Sequence, residues 1–141
     1  MTEIVGYTTG VFDLFHAGHL NILTNAKQHC DHLIVGVCTD ELAEQLKGKR
    51  PVESFEDRIR AVREISCVDR ALAEEVDDKL AAYEQLHFNV IFKGDDWKGS
   101  PKWRRLGARF SALGVRVVYF PYTHGVSSTM LRNSSDQAGA G

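Results

Sequence analysis

Two histidines stand three residues apart where a short apolar strand is predicted to turn into a helix. The strand covers residues 4–7, and apolar residues recur at helical spacing over residues 20–27. His16 and His19 therefore fall where free backbone N–H groups and the positive end of the helix dipole favour bound phosphate. Imidazole N–H groups placed there can donate to phosphate oxygens as charge moves onto them. The alternative is that the two histidines only cap the helix.

Further strands and helices alternate along the chain. Strands are predicted at 32–38, 89–93 and 115–120, helices from 39 or 40, at 54–65, 78–86, 102–113 and 127–132, and a strand or turn at 68–72. This alternation predicts an α/β fold with an open, mostly parallel sheet and helices on both faces. Polar residues follow the first, fourth and fifth strands, at the sheet edge where such folds bind ligands.

Composition places the chain among ordinary globular proteins. Its 141 residues are 43% hydrophobic, which fits one domain, predicted over 1–132, with a disordered tail at 133–141. A net charge of −2 gives no sign of a nucleic-acid or membrane partner. Cys30, Cys38 and Cys67 are odd in number and irregularly spaced. Metal and disulfide roles for them are therefore not expected, and a cytoplasmic location is the simplest setting.

Three sequence elements resemble one family. Gly-Val-Phe-Asp-Leu-Phe-His-Ala-Gly-His at 10–19 is similar to the His-x-Gly-His signature of nucleotidyltransferases, in the form of their cytidylyltransferase branch. Gly-Asp-Asp-Trp at 94–97 is similar to a family element beside the cytosine. Tyr-Thr-His-Gly-Val-Ser-Ser-Thr at 122–129 resembles the family's Arg-Thr-x-Gly-Ile-Ser-Thr-Thr. The resemblance implies a Rossmann-like domain.

The resemblance also implies the roles of individual residues. The catalytic residues expected from it are His16, His19 and Lys47. The expected nucleotide-binding residues are Thr9, Gly10, Phe12, Gly18, Lys49, Asp95, Tyr122, Thr123, Gly125, Ser127, Ser128 and Thr129. From composition alone, Lys47 and Lys49 belong to a solvated basic loop. Metal-binding side chains are not expected.

Arg58 is expected to bind the phosphate of the second substrate, because Phe55-Glu56-Asp57-Arg58 resembles the family's aromatic-acid-x-Arg pattern. Its planar guanidinium suits bidentate contact with phosphate. Two positions depart from the family: Tyr122 stands in place of an arginine, and Ser66 in place of a second substrate-contacting arginine. Asp13 is expected either to hold the loop in place or to orient magnesium, with the structural role favoured.

The implied reaction joins CTP to a phosphorylated small alcohol. The chain is most similar to the branch that uses glycerol 3-phosphate, which gives CDP-glycerol and pyrophosphate by direct attack on the α-phosphorus. Magnesium is expected to be carried mainly by the CTP phosphates, and a homodimer is expected. Alternatives are another acceptor (phosphoethanolamine, phosphocholine or a phosphonate), ATP with a sugar phosphate or flavin nucleotide, or a non-catalytic nucleotide-binding protein.

Overall fold

A computed structural model describes residues 3–94 and 99–120. Within them the chain forms five strands and five helices. In chain order they are β1 (Val5–Gly10), α1 (Ala17–Lys27), β2 (His32–Cys38), α2 (Asp40–Lys47), α3 (Phe55–Arg63), β3 (Arg70–Glu74), α4 (Lys79–Leu86), β4 (Val90–Gly94), α5 (Pro101–Ala112) and β5 (Arg116–Phe120). Across the described ranges, no helix combines the length and the apolar character needed to cross a membrane.

The strands form one sheet in the order β3-β2-β1-β4-β5, and every pairing is parallel. The predicted fold class is therefore confirmed. Strand order reverses between β1 and β4, and ligands in such sheets bind in the crevice outside the carboxyl ends of the strands at this switch point. The pairing of β4 with β5 continues to the last residue of each strand, where Gly94 lies opposite Phe120.

Side chains of β2 alternate between two hydrophobic cores, as expected for a strand covered on both faces. Val35 and Val37 pack with Leu23 of α1, and the same core includes residues of α3. Ile34 faces the other way and packs with Phe110 of α5. The helices therefore cover both faces, and they present their amino ends near the carboxyl edge of the sheet.

Side-chain caps determine where several helices begin. The oxygens of Thr39, Ser54, Asp78 and Ser100 each accept a backbone N–H three residues later in the chain. These residue types are the usual caps because they satisfy N–H groups that have no partner within the helix. Residues 70–74 form a strand, which resolves the predicted choice between a strand and a turn.

Gly6 should be required where β1 meets β4. A Cβ at this position would lie 2.7 Å from Cys30 Sγ and 2.7 Å from a Phe92 ring carbon. Gly6→Ala should therefore destabilise the fold by about 1–3 kcal/mol through overpacking. The control is Gly107→Ala in α5, where a Cβ has no neighbour within 4 Å, and it should stabilise by about 0.5–1 kcal/mol. Urea unfolding of both variants measures this, and equal midpoints would contradict it.

Candidate active site at the start of the first helix

His16 and His19 cap α1 reciprocally. His16 Nδ1 accepts the backbone N–H of Gly18 at 3.0 Å, and His19 Nδ1 accepts the backbone N–H of His16 at 3.3 Å. The two rings stack with centroids 3.9 Å apart. The helix-capping interpretation is therefore correct as geometry, and it leaves the other ring nitrogen of each histidine for chemistry.

The caps define the protonation state of both rings. Because each Nδ1 accepts a hydrogen bond, a neutral ring must carry its proton on Nε2. Burial lowers the pKa of His16. Burial, assisted by the neighbouring His16, lowers the pKa of His19 to about 3. Both histidines are therefore neutral near pH 7, and each presents a single Nε2–H donor.

His19 is held in a narrow aromatic environment. Its side chain is 5% exposed, and its ring centroid lies 5.3 Å from those of both Phe12 and Phe15. Within the described part of the chain, its buried Nε2 has no hydrogen-bond partner. A buried unsatisfied donor costs about 1–3 kcal/mol, so a site that keeps one is suited to a ligand acceptor such as a phosphate oxygen.

The turn that leads into α1 (residues 11–16, which end with His16; the histidine turn) is conformationally strained. Phe12 and Leu14 have φ values of 56° and 48°, a region that side-chain-bearing residues rarely adopt. Asp13 holds the turn by accepting the backbone N–H groups of Val52 and Glu53 at 2.8 and 3.0 Å. The structural role favoured for Asp13 is therefore observed.

The basic segment (residues 47–51) begins with the last residue of α2. The two residues that follow the segment, Val52 and Glu53, donate to Asp13 of the histidine turn. Gly48 ends α2 in the left-handed conformation, with φ 84°. Arg50 contacts carboxylates on α2, Glu44 at 3.2 Å among them. Lys47 and Lys49 are exposed, and within the described residues neither has an ion pair. Their ammonium groups are available to an anionic ligand.

Arg58 is fully buried, at 0% exposure. Its Nε donates to the carbonyl oxygen of Glu53 at 3.1 Å, and its Nη1 donates to those of Val11 and Cys38, both at 2.8 Å. Its Nη2 forms an ion pair with Asp40 at 2.7 Å. Four of the five N–H donors of a guanidinium are thus occupied by the protein. Binding of the acceptor phosphate by Arg58 stays a prediction, and this arrangement does not favour it.

A buried ion-pair cluster, which sequence reasoning did not single out, lies at the carboxyl end of β3. Lys79 is 6% exposed and donates to Glu74 and Asp77, both at 2.7 Å. Lys102 donates to Asp77 as well. Burial alone would lower the pKa of Lys79, but the two carboxylates outweigh it and raise that pKa.

Lys93 lies beside this cluster near the carboxyl end of β4. Burial, then the charge of Lys79, lowers the pKa of Lys93 to about 8, and Lys47 contributes in the same direction. Its Nζ is 5.9 Å from the centroid of the Trp103 ring. The only sequence signal was a lysine that continues the apolar run Val90–Phe92. Lys93, Lys79 and Lys47 therefore lie close enough to interact electrostatically near the carboxyl edge of the sheet.

The remaining predicted nucleotide contacts divide into two groups. Thr9 and Gly10 end β1, and Gly18 lies buried in the first turn of α1, so the structure brings them together with the histidines. The others lie outside the described residues: Asp95, Tyr122, Thr123, Gly125, Ser127, Ser128 and Thr129, together with the predicted tail at 133–141.

This sheet order, with a paired-histidine cap beside the switch point, gives a candidate phosphate-binding site at the carboxyl edge of the sheet, as in enzymes that bind nucleotides on parallel sheets. The family model described as cytidylyltransferase-like matches residues 7–134. The chain belongs to this family.

Relatives of known name differ in length and in reported role. Glycerol-3-phosphate cytidylyltransferase of Bacillus spizizenii is 34% identical over 135 residues, which cover 94% of this chain and 95% of that protein. The bifunctional protein HldE of Hyphomonas neptunium is 33% identical over 129 residues. The match covers 90% of this chain but only 26% of that protein.

A solved structure supports the same fold. The lipopolysaccharide core biosynthesis protein from Thermoplasma volcanium GSS1 superposes with a TM-score of 0.73 at 29% identity. The superposition covers 86% of this chain and 99% of that protein.

His19 should make the fold sensitive to mild acid. Its pKa of about 3 in the folded chain lies below the ordinary value of about 6.5. Between these two pH values the ring takes up a proton only in the unfolded chain. The contribution of His19 is fully present above about pH 6.5 and is lost towards pH 3, at up to about 1.4 kcal/mol per pH unit. Urea unfolding between about pH 7 and about pH 5.5, above the range where ordinary carboxylates titrate, should show this slope.

His19→Gln should remove most of that slope, because glutamine does not titrate. His16, whose pKa is also lowered, should leave a smaller remainder. A slope equal to that of the unmodified protein would show that His19 protonates as readily in the folded chain as in the unfolded one.

Proposed function

We propose that this chain transfers CMP from CTP to a small phosphorylated alcohol, with glycerol 3-phosphate as the acceptor and CDP-glycerol and pyrophosphate as products. The observation that carries the proposal is the pair of neutral histidines at the start of α1, each with Nδ1 on a backbone N–H. The relative with that activity matches along 95% of its own length, which supports the choice of acceptor.

The proposed step is a direct displacement. A phosphate oxygen of the acceptor attacks the α-phosphorus of CTP, the bond from that phosphorus to the bridging oxygen breaks, and pyrophosphate leaves with the electron pair. The Nε2–H groups of His16 and His19 donate to oxygens on which negative charge grows. The acceptor phosphate is already an anion, so the step needs neither a general base nor a protein nucleophile.

The basic segment supplies positive charge beside the neutral histidine donors. Lys47 and Lys49 would neutralise the triphosphate and the leaving pyrophosphate. Within the described residues, no group of three His, Cys, Asp or Glu side chains could hold a metal ion, and both oxygens of Asp13 accept backbone N–H groups. Magnesium is therefore proposed to bind through the phosphates of CTP.

The proposal also includes a homodimer, and sedimentation velocity tests this oligomeric state.

A second candidate is transfer from ATP to a phosphorylated sugar. The similarity to a lipopolysaccharide core biosynthesis protein, whose name indicates a sugar-containing product, favours a sugar phosphate as acceptor. The Tyr122 departure from the family motif removes one reason for preferring CTP, and the Ser66 departure removes one reason for preferring glycerol 3-phosphate.

Pyrophosphate release should distinguish these candidates. The protein is assayed with CTP or ATP, each combined with glycerol 3-phosphate, phosphoethanolamine, phosphocholine and a sugar 1-phosphate. Release with CTP and glycerol 3-phosphate alone is the expected result. Release only with ATP and the sugar phosphate would establish the second candidate. No release with any pair, despite nucleotide binding by calorimetry, would indicate a non-catalytic binding protein.

His19→Ala should reduce turnover much more than CTP binding. A positioned donor gains most when charge moves onto the leaving group, so its loss should lower turnover by about 10²–10³. His16→Ala should behave similarly, and the double variant should lose less than the product of the single losses if the two act as a unit. Steady-state kinetics, CTP calorimetry and thermal midpoints are measured in parallel.

The matched control for this series is His29→Ala, since His29 is exposed and lies outside the motif. It should change turnover little. Turnover of His19→Ala close to that of the unmodified protein would leave helix capping as the sole role of the pair.

A further inference from the structure

The buried guanidinium of Arg58 joins separate parts of the site. Val11 O lies in the histidine turn, Cys38 O is at the carboxyl end of β2, and Glu53 O lies between the basic segment and α3. Asp40, the fourth partner, is the first residue of α2. A planar fork holds such acceptors at fixed mutual angles, which a lysine ammonium does not.

Asp40 completes this junction. Burial opposes the ionised carboxylate, but hydrogen bonds from Arg58 and from the Phe55 N–H outweigh it and hold the pKa of Asp40 below its ordinary value. The carboxylate also lies 3.8 Å from Arg50 of the basic segment. Asp40, at the start of α2, thus contacts both Arg58 of α3 and Arg50 of the basic segment.

Asp13 and Glu53 provide a second connection between the same parts. Asp13 accepts the N–H groups of Val52 and Glu53. In return, the carboxylate of Glu53 accepts the Leu14 N–H at 2.9 Å. The histidine turn and the residues that follow the basic segment are therefore tied from both sides.

We propose that Arg58 is a positioning residue for nucleotidyl transfer, which fixes the histidine turn relative to the basic segment and does not bind the acceptor phosphate. The inference rests on the proposed function for its kinetic consequences. Its physical basis is that local backbone preferences disfavour the conformation of the histidine turn. The contacts made by Arg58 and Asp13 stabilise that conformation. A misplacement of about 1 Å at a reacting centre can cost about 10²-fold in rate.

The test compares Arg58→Lys with Arg60→Lys on the same helix. Arg60 is exposed and is paired only with Asp57 among the described residues, so it controls for a generic Arg-to-Lys change in α3. Asp13→Asn is the second route into the same junction and serves if Arg58→Lys does not fold. Each variant is measured for kcat, both KM values and thermal midpoint.

Histidine NMR supplies a readout that does not depend on activity. In the unmodified protein the His19 ring signals should not titrate between about pH 5 and 8, where an ordinary histidine does. In Arg58→Lys the loosened turn should expose the ring, and the His19 signals should begin to titrate in that range. Arg60→Lys should match the unmodified protein.

The expected kinetic pattern for folded Arg58→Lys is a fall in kcat of about tenfold or more, with both KM values within about threefold. Asp13→Asn should give the same pattern. A tenfold rise in the acceptor KM at unchanged kcat would instead make Arg58 a binding residue and overturn the inference. Unchanged kcat and unchanged His19 signals in a folded Arg58→Lys would also overturn it, as would unchanged values for Asp13→Asn where Arg58→Lys is unfolded.

Failure of the proposed function gives a different result. In that case the unmodified protein itself releases no pyrophosphate from CTP and glycerol 3-phosphate. The His19 titration then decides the positioning role alone: new titration in the Arg58 or Asp13 variant supports it, and its absence in a folded variant rejects it.

Discussion

Two hydrogen bonds at the start of α1 determine how the rest of the site works. A helix begins with backbone N–H groups that have no partner within the helix, and here imidazole nitrogens of His16 and His19 accept from Gly18 and His16. A serine or aspartate would satisfy the same groups. Because histidine does so with Nδ1, the proton of the neutral ring is confined to Nε2. The bonds that start the helix therefore also select the tautomer of both neutral rings.

The turn that precedes α1 adopts an unfavourable backbone conformation to place the two histidines. Left-handed conformations at Phe12 and Leu14 are unfavourable, and such strain persists only where surrounding contacts over-determine it. The burial of Phe12 and the backbone contacts of Asp13 supply those contacts. Packing, a carboxylate and a buried guanidinium thus hold in place what local preference would not, and the site is pre-organised before substrate arrives.

The sequence allowed the sheet, its parallel sense and the histidine pair to be predicted, because apolar periodicity and a helix start are local signals. Arg58 shows what local signals leave out. It shares the buried face of α3 with Ile59 and Val62, a spacing visible in the sequence, yet its acceptors come from distant segments that only the folded chain brings together. Lys93 is a similar case, since its environment depends on Lys79 and Trp103. Charged residues interrupt the apolar pattern of β3 and made it hard to predict as a strand. They are tolerated there because β3 lies at the edge of the sheet.

The pairing of Gly94 with Phe120 has a geometric consequence for the family motifs. Parallel neighbouring strands lie about 4.8 Å apart, and these two strands end at the same level. The Gly-Asp-Asp-Trp sequence continues from Gly94, and the Tyr122–Thr129 sequence begins shortly after Phe120. Two sequence elements that resemble family motifs, and that are far apart along the chain, thus follow strands that end side by side. An insertion or deletion of one residue in either strand would displace the start of one element relative to the other by about 3.3 Å, so the lengths of β4 and β5 determine how the two elements begin relative to each other.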